Sequence, residues 1–562
     1  MEEFFTRYSH LSEKIFEYLD DESLLRCRSV SKTWKNYLDM QRFPWIRMIF
    51  RHKLNVQHEK AWNIIHKIQS HNLKDLAFIV RKFYAYCPWR KEDEQTPLHF
   101  AVRSGKMSVF LEVFELSQDK NPRDARGLTP MHFAALHGYF QIIEILILHQ
   151  TLDKNPSNET GDTPLHYAAK RGHLDVCKLI MKDLVDKNPH GDKGQTPLHY
   201  ASENGHFEMC QFFLSVIEDK NPSAENGMSP MWIALKEDNL PLFKLIVNNL
   251  EEKNPLGTPA YVTTVKNTPL HIAAWHGKIE FVRFLVDQIS EKNPFNEEGT
   301  TPLHKAVIHK RFDVIKLLME KVSDKNPLSR EGNSLLHHAS ANQSWEIYEY
   351  LLQFNADQNP QNNSGHTPLH NAAKYGHLSM CKMITNLDLP DKNPPDNNGD
   401  TPMHYAARNK LKVFEFFMPI AEEKGDVNPP NKAELRPLHL AALTGSLQIC
   451  QLIVGKITLE EAEAKNSEGF NALHFAALGG HLEMTKYFLS IFKEKCPKTK
   501  FLATPLHLAA QNGHILVAQE LLAAGNDLSP NKHGDSPKDL ALKYRHIAVC
   551  KLLMEYPGFQ NN

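Results

Sequence analysis

Twelve histidines stand at one recurring place in this chain, each closing a Thr-Pro-Leu-His tetrapeptide or a close variant: His99, His132, His166, His199, His271, His304, His337, His370, His404, His439, His474 and His507. Imidazoles at fixed spacing suggest either an array of metal ligands or a repeated hydrogen-bonding group. A metal site needs further ligands, and no carboxylate or cysteine recurs beside these histidines to complete a set. The spacing therefore predicts a structural hydrogen bond at the start of each of twelve helices. Eight cysteines are too sparse for a disulfide framework and show no Cys-x-x-Cys pairing. Five of them, Cys177, Cys210, Cys381, Cys450 and Cys550, each sit in an apolar run after a Gly-His-like turn and read as small buried fillers. There is no glycine-rich phosphate loop, no Gly-x-Ser-x-Gly and no Cys-His arrangement outside the repeated pattern. The reading is of a chain with no catalytic residue, no metal and no cofactor, and not of an enzyme.

Bulk composition excludes further classes. Lys+Arg 65 against Asp+Glu 66 gives a formal net charge of -1, without the basic excess that drives generic phosphate-backbone binding, so no nucleic-acid partner is expected. Met1 to Lys14 carries acids, Arg7 and His10 where a secretory signal needs an apolar stretch. No later segment approaches the ~18 consecutive apolar residues of a membrane span. The expectation is a soluble intracellular protein of cytoplasm, nucleus or both, with no membrane partner.

The elements that must position these histidines follow from the period. The tetrapeptide opens at Thr96, Thr129, Thr163, Thr196, Ser229, Thr268, Thr301, Ser334, Thr367, Thr401, Arg436, Asn471, Thr504 and Ser536, fourteen starts that are mostly 33 residues apart. In the stretch from Gly161 to Val185, Thr163 is expected to cap a helix through its hydroxyl, with Pro164 at the first helical position. Leu165, Ala168 and Ala169 share one face, Gly172 ends the helix, and Leu174, Val176, Cys177, Leu179 and Ile180 form the stripe of a second helix. Helices this short are marginal alone, so each repeat must stack on its neighbours. Asp-Lys-Asn-Pro recurs between repeats, as at Asp153 to Pro156 and Asp186 to Pro189, and reads as turn chemistry. A 33-residue period with Thr-Pro-Leu-His resembles the ankyrin repeat. The fold class that resemblance implies is all-α: a solenoid of helix-turn-helix units with projecting hairpin loops, spanning residues 91–557 in about fourteen repeats.

Some repeats depart from the pattern. Met231-Trp232 replaces Leu-His, and Ser536-Pro537-Lys538-Asp539 opens a last repeat that reads as a terminal cap, with Lys538, Lys543, Arg545 and His546 supplying a polar outer face. One interval of 39 residues places six extra residues in Leu256 to Asn267, read as a longer loop.

Residues 1–50 need another account. Leu11, Ile15, Phe16, Leu19, Leu24, Leu25, Val30 and Trp34 lie in the order Ile-Phe-x-Tyr-Leu, Leu-Leu, Val-Ser-Lys-x-Trp, with Trp45 following. This forty-residue stretch resembles an F-box, a small three-helix module, and its apolar residues make too little core for comfortable independence. Residues 51–90 read as a helical linker and cap, in which Ala61, Ile64, Ile65 and Ile68 mark one helix face and Leu73, Leu76, Ala77 and Val80 another. The F-box resemblance implies docking on a Skp-type adaptor of a cullin ubiquitin ligase through the eight residues named first, while the array selects an unidentified protein substrate. The alternative is an ankyrin scaffold or sequestering inhibitor whose F-box-like start is only structural. Apart from that complex the chain is expected to be a monomer.

In ankyrin proteins the grip is usually made just after the Ala-Ala of the first helix and by the hairpin tips. Carried over by position, the gripping residues are Arg171, Trp275, His276, His309, Lys374, Tyr375 and Arg408, with Arg103, Leu136, His137, Lys170, Ile308 and Leu443 at equivalent places. Trp, Tyr and Arg are the types enriched at binding hot spots.

Overall fold

The computed structural model describes residues 95–556 except 118, 150–152, 258–264 and 526. The F-box-like module, with Leu11, Ile15, Phe16, Leu19, Leu24, Leu25, Val30 and Trp34, lies outside the described residues, as does the 51–90 linker. The described residues divide into two compact units, the first ending at Lys253 and the second beginning at Asn254. Among the described residues the first unit holds five helix pairs, from Pro97–Arg103 with Met107–Leu116 to Pro230–Lys236 with Leu240–Asn248. The second holds nine, from Pro269–His276 with Ile279–Gln288 to Pro537–Lys543 with Ile547–Glu555. All fourteen tetrapeptide starts therefore open a helix, as the period predicts.

Within each unit, first helices pack on first helices and second helices on second helices. The alanines make this approach possible: Ala168, Ala169, Ala273, Ala274, Ala372 and Ala373 are all fully buried. Larger side chains fill the layer between first and second helices, with Leu165, Cys177, Phe213, Leu285 and Phe414 fully buried. Burying a side chain of this size contributes about 1.5–3 kcal/mol, and in a stack each repeat gains it only from its neighbours. Cys177, Cys210, Cys381, Cys450 and Cys550 are free, buried thiols in this layer. Burial pushes the Cys210 and Cys381 thiols up to about 12, which leaves them unreactive fillers.

Asp-Lys-Asn-Pro has a more exact division of labour than a generic turn. Asp153 Oδ1 accepts the Asn155 N–H at 3.0 Å, and Asn155 Oδ1 accepts the Leu165 N–H at 3.1 Å, ten residues on. The lysine reaches back to the exposed carbonyls of the preceding second helix, as Lys253 Nζ does to Val247 O at 2.9 Å. The expected hydroxyl cap is thus largely supplanted. Thr268 and Thr301 hydroxyls accept the N–H three residues on at 3.4 Å, and Thr163 Oγ1 lies 3.0 Å from His166 Nδ1, while in all three repeats the upstream asparagine takes the N–H one residue earlier, as Asn254, Asn293 and Asn155 do. Gly172 ends its helix in the left-handed conformation, φ +79°, as its position suggested.

The connection of 256–267 is closed at its base by two backbone bonds between Gly257 and Asn267, of 2.9 and 2.8 Å. In the last pair Lys543 and Arg545 are exposed as expected of a cap, but so are Leu542, Ile547 and Met554. The terminal face is only partly polar.

Candidate ligand-gripping row

The motif histidines are the frame on which any binding surface rests. All twelve are at most 2% exposed. In every one, Nδ1 accepts the backbone N–H of the residue three before it, at 2.9–3.3 Å. A nitrogen that accepts carries no proton, so the proton sits on Nε2. In ten of them Nε2 donates to a carbonyl of the next hairpin, at 2.9–3.3 Å. In His404 and His507 it is buried without a hydrogen-bond partner. With both ring nitrogens engaged by the backbone in the ten, the structural reading of these residues stands over the metal one. Burial pushes the imidazoles far down, to about 3 for His132, His271 and His474 and about 4 for His199, His304, His337, His370 and His439. Where Trp232 replaces the histidine, Ser229 Oγ is left buried without a hydrogen-bond partner.

A second ladder, absent from the sequence-based expectations, runs along the opposite ends of the first helices. There a histidine opening a second helix donates to the end of the neighbouring first helix: His173 to Leu136 O at 3.2 Å, His377 to Ala341 O at 2.9 Å, His481 to Leu443 O at 3.0 Å and His514 to Leu478 O at 3.1 Å. Arg311 takes the same role, its Nε donating to Trp275 O at 2.9 Å. The signal was available in the recurring Gly-His pairs, at Gly172-His173, Gly376-His377, Gly480-His481 and Gly513-His514.

Arg311 ties this ladder to one of the candidate gripping residues, Trp275. In the second unit the structure brings Trp275, His276 and His309 together: His309 stacks on Trp275 at 4.7 Å and 14°, His276 at 5.9 Å and 13°, and Lys305 Nζ lies 5.6 Å from the indole centroid. Trp275 is therefore a half-buried, fixed ring and not a free anchor. Burial, with nearby cations, lowers both His276 and His309. Lys374 lies over the ring of Tyr375, which is 52% exposed, and Arg408 lies over Tyr405 in the next repeat. Arg171 is exposed in the first compact unit beside Lys170, whose ammonium lies over Tyr200.

Sequence reasoning also passed over a polar cluster at one hairpin. The buried Asp396 carboxylate receives Tyr405 Oη at 3.1 Å and His366 Nε2 at 3.0 Å, and two backbone N–H groups, of Asn398 and Asp400, at 2.8 and 2.9 Å. Burial and this carboxylate push the Tyr405 hydroxyl up. Asp396 stands at an Asx position that recurs in other hairpins, as Asn362 and Asn431 do, and Tyr405 follows its motif histidine as Tyr167 and Tyr200 do, but His366 joins them only here.

Comparison with known proteins decides the family. A model of ankyrin repeats matches overlapping stretches from residue 98 to residue 562. The chain belongs to the ankyrin-repeat family. Ahead of this array, residues 9–46 match the F-box domain. The array is 33% identical over 99 residues to the mouse protein "Glutaminase liver isoform, mitochondrial", and equally to its rat counterpart, a match to 17% of this chain and 16% of each relative. It is 27% identical over 138 residues to the Caenorhabditis elegans "Transient receptor potential cation channel subfamily A member 1 homolog", covering 24% of this chain and 11% of that one. The chain thus spans less than a fifth of the length of these relatives. Among the described residues no helix is long and apolar enough to cross a membrane.

Proposed function

We propose that this ankyrin-repeat chain is a substrate receptor of a Skp–cullin–F-box ubiquitin ligase. One observation carries the reading: an F-box match at residues 9–46 precedes a long ankyrin array, matched from residue 98, in the same chain. An F-box has no use for catalytic groups of its own, and transfer of ubiquitin falls to other subunits. Residues 1–50 act as the adaptor-binding domain through Leu11, Ile15, Phe16, Leu19, Leu24, Leu25, Val30 and Trp34, residues 51–90 as linker and cap, and residues 91–557 as the array. A stack of repeats offers an extended surface to a protein segment. Arg171, Trp275, His276, His309, Lys374, Tyr375 and Arg408 are the residues proposed to hold the substrate, and rigid aromatic and arginine side chains of this kind suit that task.

The test mixes purified full-length chain with a purified Skp-type adaptor and follows co-elution. A stable complex that disappears when residues 1–50 are deleted supports the proposal, provided the repeats keep their helical circular dichroism. No complex at micromolar concentration, or one that survives the deletion, overturns it in favour of a scaffold.

A further inference from the structure

In the second compact unit, charge is sorted along the row where each first helix ends and its second helix begins. Across the nine turns from Trp275–Lys278 to Lys543–His546 there are eight cations, Lys278, Lys310, Arg311, Lys374, Arg408, Lys410, Lys543 and Arg545, and no carboxylate. Carboxylates resume only inside the second helices, at Glu280, Asp313 and Glu346. The chain as a whole carries 65 basic and 66 acidic side chains, so a row of one sign is not inherited from composition. The corresponding turns of the first unit are mixed, with Glu203, Glu237 and Asp238 among them and Lys236 paired to Glu237 at 2.8 Å.

Apart from Arg311, which serves a rung of the second ladder, helix electrostatics does not account for this sorting. Cations at the end of a first helix suit its dipole, but Lys278, Arg311 and Lys410 occupy the N-cap of a second helix, where the dipole favours the opposite sign. Lys310 stands at φ +57°, where the preceding repeat has Gly277 at +77° and the following one Gln343 at +54°. A side chain there is strained, and a glycine would relieve it.

We infer that this row binds an acidic peptide segment in extended form, its charge carried by carboxylates or phosphates, with Trp275 and Tyr375 packing against its apolar parts. The inference rests on the receptor reading above and names the chemistry of the segment that the array holds. The five repeats from Trp275 to Arg408, with helices packing about 9 Å apart, span about 36 Å. That matches about eleven extended residues at ~3.3 Å each. A basic surface with aromatic rings could also attract single-stranded nucleic acid, and the experiment separates the two.

Full-length protein is titrated against fluorescein-labelled peptides of about twelve residues, the reach of the row: one rich in Glu, one with phosphoserine in place of Glu, one neutral and one rich in Lys. The acidic peptides should bind in the micromolar range, more weakly as salt rises, while the neutral and Lys-rich ones bind at least about tenfold more weakly. Preference for the phosphoserine peptide assigns phosphate recognition, and equal binding assigns carboxylate charge. The combined variant Lys310→Gly, Lys374→Gln, Arg408→Gln should lose about tenfold in affinity or more. Lys310→Gly alone should raise the urea midpoint while weakening the acidic peptides, a combination that misfolding cannot produce. Equal binding of acidic and neutral peptides, unchanged affinity in the combined variant, no acidic binding at about 100 µM, or displacement of the peptide by single-stranded RNA at lower concentration would each overturn the inference. Adaptor binding, measured on the same variants, reads out residues 9–46 separately, so loss of the receptor reading is distinguishable from loss of this one.

Discussion

Acid should dismantle the array from within. The motif histidines are buried and neutral, pushed down to about 3 or 4, while an exposed histidine of the unfolded chain has its ordinary value near 6.5. Between these values the unfolded chain binds a proton that the folded chain cannot, so stability is complete above about pH 7 and falls as pH drops through 6.5 toward 4. Each pH unit in that window costs about 1.4 kcal/mol per histidine, so by pH 5 each one has withdrawn about 2 kcal/mol. A repeat's hold on its neighbours is of that order, and carboxylates with lowered values, such as Asp527 at about 2, begin to count only at lower pH. Urea unfolding followed by circular dichroism at pH 7.5, 6.0 and 5.0 should therefore show a steep fall in midpoint that added salt does little to prevent, because desolvation causes it. Replacing one motif histidine, as in His337→Gln, should lower stability at pH 7.5 and flatten the dependence. A midpoint unchanged or higher at pH 5, or imidazole resonances of the motif histidines titrating near 6.5, would refute the reasoning.

Other expectations are local. Asn188→Ala removes the acceptor of the Leu198 N–H at 3.1 Å and should cost about 1 kcal/mol, seen as faster hydrogen exchange in the Pro197–Glu203 helix, with distant repeats unchanged. Gly480→Ala forces a side chain onto φ +75° with His514 Nδ1 at 2.5 Å, so it should break one rung of the second ladder and cost more than the ~1–2 kcal/mol of the backbone alone; equal stability would show that the rung is dispensable. Trp275→Ala should weaken the bound protein segment by about 2 kcal/mol if the ring lies at the centre of the grip, and an unchanged affinity removes it from the site.

The repeats and their order were legible because a solenoid writes the same solution fourteen times, so every tetrapeptide start predicted a helix that exists. The assignment of caps was less so: Thr163 has a good capping side chain, but the Leu165 N–H is served by Asn155, ten residues before it, a partner that the local sequence around Thr163 does not show. Position alone puts Trp275, His276 and His309 in adjoining turns, and the three do meet. Their stacking was not legible, because it depends on rings from two repeats. The charge sorting emerges only when the turns are aligned side by side, where no single repeat holds more than two of the cations. In the Asp396, Tyr405 and His366 cluster the first two stand at recurring positions, and only the histidine that completes it is peculiar to its repeat.

If one chain joins a substrate to a ligase, as proposed, the direct measurement is the ubiquitin conjugation of the protein held by the array. In cells lacking the endogenous chain, full-length protein and a form without residues 1–50 are expressed at equal level, and the array's partner is quantified for binding and for ubiquitin conjugates. Both forms should bind the partner, while only the full-length chain should restore its conjugates and shorten its lifetime. Conjugation that is equal with either form, or absent with both while the partner stays bound, would contradict the claim and leave a scaffold.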